Sequence, residues 1–118
     1  MTGEAGYKKL IAWKKADELA YKVYLATSNF QKEETFGIVS QLRRAELSVP
    51  TNLAEGAGRR GKAELKRFTS IALGSLAEVS YLLDFSLRLK YLYQANYESL
   101  RELCQETGRI LWGFHNSL

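Results

Sequence analysis

The sequence predicts an all-α protein, a single up-and-down bundle of four helices. Three observations carry that expectation. Apolar residues recur at spacings of three and four along nearly the whole chain. Proline occurs once, at Pro50, and the Asn-Gly and Asp-Gly pairs that mark hairpins are absent. A length of 118 residues suits one compact domain spanning 1–118, with residues 1–8 expected to be flexible.

The first helix is marked by Leu10, Trp13, Ala16, Ala20, Val23, Thr27 and Phe30, with Lys14, Lys15, Asp17 and Glu18 on its wetter side and an end near Ser28-Asn29. The second carries Ile38, Leu42, Ala45, Val49, Leu53 and Ala57, then breaks at Gly56, Gly58 and Gly61. Pro50 lies inside it. An interior proline removes one helical hydrogen bond and costs about 3 kcal/mol, so a kinked but continuous second helix is expected. The third follows Leu65, Phe68, Ala72, Leu76, Val79, Leu83 and Ser86 to about Lys90, and the fourth follows Tyr97, Leu100, Leu103, Thr107, Leu111 and Phe114. Short connections between helices of about 20 to 28 residues favour antiparallel neighbours.

Composition excludes several functions. With 46% hydrophobic and 25% charged residues the chain has an ordinary globular profile. Its first residues show no basic region followed by an apolar run, which leads us to expect a cytosolic protein. The stretch from Leu73 to Leu92 has the length of a membrane span. Glu78, Asp84, Arg88 and Lys90 interrupt it, so a protein-buried helix is expected and no membrane partner. One cysteine, Cys104, and one histidine, His115, provide neither a disulfide framework nor a zinc site. Glu98, Glu102 and Glu106 form a row at helical spacing that reads as a solvated face, because a bundle metal site would also need Glu-x-x-His pairs. No catalytic residue, cofactor or metal is expected.

Net charge is concentrated. From Arg43 to Arg67 there are seven basic residues (Arg43, Arg44, Arg59, Arg60, Lys62, Lys66, Arg67) and three acidic ones, and elsewhere ten of each cancel. Gly56-Ala57-Gly58-Arg59-Arg60-Gly61-Lys62-Ala63 imitates both the dinucleotide fingerprint and the phosphate loop. Both need a strand leading in, and Ala63 stands where the second needs a magnesium-binding hydroxyl. Two readings remain for this segment. One is a helix-helix turn whose glycines take positive φ. The other is a contact with nucleic-acid phosphates through Arg43, Arg59, Arg60, Lys62, Lys66 and Arg67, helped by the amides that open the third helix.

A polar stripe, Gln41, Arg44, Ser48, Asn52 and Glu55, borders the apolar face of the second helix. Either it is plain surface, or it forms a network with the third helix. A turn centred near Gly61 puts Arg44 opposite Glu78, Glu55 opposite Arg67, and Ser48 opposite Gly74, a contact small enough for the backbones to approach. Ser75 belongs to the same network. The third helix is also apolar on more than one side: Ile71, Leu82, Phe85 and Leu89 adjoin its core stripe, and Leu73, Tyr81 and Leu87 widen it. One small bundle cannot surround such a helix, so a surplus face should meet another subunit.

The segment QLRRAELSVPTNLAEGAGR, from Gln41 to Arg59, followed by Phe68, Ala72, Gly74, Ser75 and Glu78, resembles the four-helix-bundle proteins encoded in intervening sequences of bacterial 23S rRNA genes. Trp13 and Ala16 suit that family's first helix, and the resemblance covers nearly the whole chain. It implies a ring, a homopentamer, with no known enzymatic activity. The accessory proteins of diversity-generating retroelements are similar in fold, and they work with a reverse transcriptase and nucleic acid. The expected function is a non-catalytic homo-oligomer with a basic surface that binds RNA, or less favourably DNA, through phosphates. The alternative is a protein-protein scaffold, such as an accessory subunit of a polymerase or reverse transcriptase.

Overall fold

A computed structural model describes residues 6–118. Among them are four α-helices and no strand: α1 (Ile11–Thr27), α2 (Ile38–Ala57), α3 (Lys62–Arg88) and α4 (Gln94–Asn116). Each helix packs on its neighbours in sequence, and α4 returns to α1, which gives a square arrangement about 45 × 26 × 20 Å.

The apolar periodicity is what builds this. Ala16, Leu19 and Val23 of α1, Leu42, Val49 and Leu53 of α2, Ala72, Leu76, Val79 and Leu83 of α3, and Leu100, Leu103 and Leu111 of α4 are all buried in one core. Successive core residues fall a turn apart on one face of each helix, and burying that face supplies most of a helix's stability in a small domain. The hydroxyls of Thr69, Ser86 and Thr107 enter the same core and donate back to the carbonyls of Leu65, Leu82 and Leu103 in their own helices.

α1 ends where expected, with Ser28 as its C-cap, but it spans 17 residues, fewer than expected, starting at Ile11 after the N-terminal 3₁₀ turn. α2 runs unbroken through Pro50, whose ring is buried among the core side chains. The expected flexible segment falls partly on residues 1–5, which lie outside the described residues. Gly6–Lys9 form a 3₁₀ turn against α1 and α2, with the ring of Tyr7 edge-on to Trp13 at 5.0 Å.

The expectation for α3 is corrected in part. α3 is long and apolar enough to cross a membrane, but Leu73 and Leu82, assigned to its surplus face, are buried within the subunit. Ile71 and Tyr81 are the large apolar side chains it leaves exposed, with Leu89 just past its end.

Candidate nucleic-acid interface

The basic corner is built by the way α2 ends and α3 begins. α2 closes on Gly58, and the chain then passes Arg59 and Arg60 to Gly61, whose φ of 86° lets it reverse where a side chain would be strained. Gly61 alone of the three turn glycines takes positive φ. Gly56 does different work: a Cβ on it would lie 2.8 Å from Phe68 Cβ and 3.0 Å from a methyl of Leu65, so its lack of a side chain sets how closely α2 approaches α3.

Phe68, 6% exposed, is the floor of the corner. The guanidinium groups of Arg59 and Arg67 lie 5.1 and 4.5 Å from its ring centroid, close enough for the ring's quadrupole to attract them. Arg67 also clasps Glu64 through Nε at 3.1 Å and Nη2 at 3.4 Å, and that hydrogen bond holds the Glu64 carboxyl below the ordinary carboxylate range. Arg59, Arg60, Lys62 and Lys66 are exposed, and among the described residues none of them forms an ion pair. α3 opens without a side-chain cap, so the positive end of its backbone dipole adds to their field.

Arg43 does not belong to this set, and its assignment to phosphate contact is corrected. It sits near the other end of α2 and serves the end of α1. Its Nε donates to Thr27 Oγ1 at 2.8 Å and its Nη2 to the Tyr24 carbonyl at 3.2 Å and Ser28 Oγ at 3.3 Å, with its plane 3.8 Å over the Tyr24 ring. The last carbonyls of a helix lack intrahelical partners, and Arg43 supplies one.

The polar stripe of α2 forms a network with α3, but with different partners from those expected. Ser48 and Ser75 share a hydrogen bond of 2.8 Å. Asn52 Nδ2 donates to the Ser48 carbonyl at 2.8 Å and to Ser48 Oγ at 2.9 Å. Gly74, the expected partner of Ser48, faces open space, one residue out of register. Gln41, not Arg44, reaches Glu78, at 3.3 Å, while Arg44 Nη2 turns to Ser40 Oγ at 3.4 Å. Arg44 and Glu78 instead line an open groove of about 580 Å³ whose lip carries Phe36. Glu55 stays exposed on the last turns of α2 and makes no pair with Arg67, whose fork is taken by Glu64.

Two features escaped the sequence reading. Glu46 is buried, and neither carboxylate oxygen has a hydrogen-bond partner, so burial pushes its carboxyl up to about 8. The signal was present: Glu46 falls four residues after Leu42 and three before Val49, inside the apolar stripe. The second is a pair of unlike apolar recesses. One, between α1 and α2, is lined by Ala20, Tyr21, Tyr24, Leu25 and Leu47; the other, between α3 and α4, by Leu73, Leu76, Ala77, Cys104 and Trp112.

The family model described as 23S rRNA-intervening sequence protein matches residues 8–113. A solved structure from Bacteroides thetaiotaomicron, a protein of unknown function from the S23 ribosomal protein family, superposes with a TM-score of 0.79 at 23% identity, covering 89% of this chain and 98% of that one. A search of curated proteins finds no match.

Proposed function

The chain belongs to the 23S rRNA-intervening sequence protein family, and we propose that it acts as a cytosolic, non-catalytic, self-associating bundle that holds RNA, in preference to DNA, by its phosphates. The observation that carries this reading is the basic corner, where Arg59, Arg60, Lys62 and Lys66 stand exposed and unspent beside a cation-propping phenylalanine. Cations without acidic partners are free to displace the counterions of a phosphate backbone. No aromatic ring among them is exposed for stacking, which favours contact with the backbone over contact with bases. The buried thiol of Cys104, pushed up to about 11, is the reverse of an activated nucleophile and supports the non-catalytic reading.

Self-association rests on the two recesses. They lie across different helix pairs and differ in shape and composition, so a contact joining one to the other is head-to-tail and closes into a ring when the rotation permits. The family resemblance implies a homopentamer, and such a ring would repeat the basic corner around it and let weak phosphate contacts act together. A second reading, an accessory subunit of a polymerase or reverse transcriptase, draws support from Phe36, 95% exposed beside the polar groove, where a protein partner would cover it.

The test is a salt titration of binding to a structured RNA by the wild type and by Arg59→Ala with Arg60→Ala. Each lost phosphate contact is expected to lower the log-log salt slope by about 0.9. Equal affinity and slope in the two proteins would overturn the nucleic-acid reading. Sedimentation of the wild type at several concentrations is expected to show an assembly at about micromolar protein, and a stable monomer there would overturn the ring.

A further inference from the structure

Glu46 is the one charged side chain among the described residues that lies in the core, 1% exposed and without a hydrogen bond to either oxygen. The charges that bear on it are Arg43, three residues before it on α2, and Asp17, exposed on α1. The 3₁₀ turns that touch α2 carry Lys8, Lys9, Lys32, Glu33 and Glu34, none of them buried. α3 and α4 turn Thr69, Ala72, Val79 and Thr107 into the core and no charged group. A carboxyl so placed favours its neutral form, because ionising it would strand a charge away from water. Arg43, the nearest cation, is occupied at Thr27, Tyr24 and Ser28.

We propose that Glu46 and Arg43 form a proton-operated catch on α1. While Glu46 holds its proton, Arg43 clasps the last turn of α1. When the proton passes to solvent, the new carboxylate draws Arg43 back along α2, and that turn is released. Residues three apart on a helix share a face, so the swing needs only a side-chain rotation. A buried carboxylate gains more from the guanidinium than a carbonyl and two hydroxyls do. The released turn carries Tyr24 and Leu25, which line the apolar recess with Leu47, so the catch sets the shape of that surface. The sign follows from linkage. The folded chain holds the proton more tightly than the unfolded chain, so the stability linked to it is complete below the ordinary carboxyl range near 4.5 and is lost as pH rises through about 8.

Amide hydrogen exchange, corrected for intrinsic rate, tests this on the whole chain between about pH 6 and pH 9. In the wild type the protection of the Tyr24 to Ser28 amides is expected to fall about tenfold or more as pH rises, while α4 amides around Leu111 hold theirs. In Glu46→Gln, which cannot ionise, protection of that turn is expected to stay level. The proposal is overturned if wild type and variant share one profile, or if α4 loses protection in step with α1, which would mean global unfolding. Carbon-13 NMR of the Glu46 carboxyl in the wild type needs no variant: a midpoint near 8 is expected, and one in the ordinary carboxylate range would overturn the catch.

Discussion

Near the start of α2, Arg43 is ringed by acceptors from α1 and pressed on an aromatic face, whereas past the other end of the helix Arg59 and Arg60 stand in solvent and, among the described residues, form no ion pair. The residue type and the segment are the same, and the roles are opposite. What separates them is the neighbouring chain. α1 ends alongside Arg43 with two hydroxyls, a carbonyl and a ring on offer, while the α2–α3 turn offers only Phe68 beneath and the Arg67-engaged Glu64 beside it. A count of charge along a sequence adds these arginines together. Only the fold shows which are spent on structure and which remain to act on a partner.

Substitutions at the two ends test that contrast. The largest effect is expected from Gly56→Ala, which forces a methyl into Phe68 and Leu65 under the basic corner and should cost about 1–3 kcal/mol in denaturant melts, as overpacking does. A smaller loss would show that the two helices part easily there and that Phe68 is not a fixed floor. Next is Arg43→Met, which keeps much of the side-chain length but strips the cap from α1. It should cost about 1–2 kcal/mol, since hydrogen bonds from a charged donor are among the stronger ones and this side chain is half-buried. Smallest is Arg60→Ala, expected to shift stability by under about 0.5 kcal/mol, as exposed substitutions do. If Arg60→Ala destabilised the chain as much as Arg43→Met, the distinction between spent and free arginines would fail.

The architecture was legible because it depends on averages over many residues. Leu42, Val49, Leu53, Ala72, Val79 and Leu111 were placed by periodicity alone and all are buried, since a single exception does little to a stripe. Pairings depend on single rotamers and single residues of register. The turn at Gly61 placed Ser48 against α3 to within one residue, yet that residue is the difference between open space at Gly74 and a hydrogen bond at Ser75. Arg44 and Glu78 do line the same wall of the bundle, but the shorter Gln41 amide reaches the carboxylate and Arg44 turns to Ser40. Nothing in the sequence marked Arg43 as the cap of a helix it does not belong to. Glu46 was readable from its place between Leu42 and Val49, where an acid among apolar neighbours should have stood out.

Within α2 and α3, the devices that fix their alignment, the Ser48–Ser75 hydrogen bond and the close fit of Gly56 on Phe68, lie back from the tip of the hairpin, and Gly61 at the tip has no atom within 4 Å of where a Cβ would sit. The tip is therefore a module that can be exchanged. Residues inserted or rewritten around it, so long as a glycine keeps the positive φ at position 61, leave the alignment of the two helices untouched, so the scaffold can present a new sequence at its end without being redesigned.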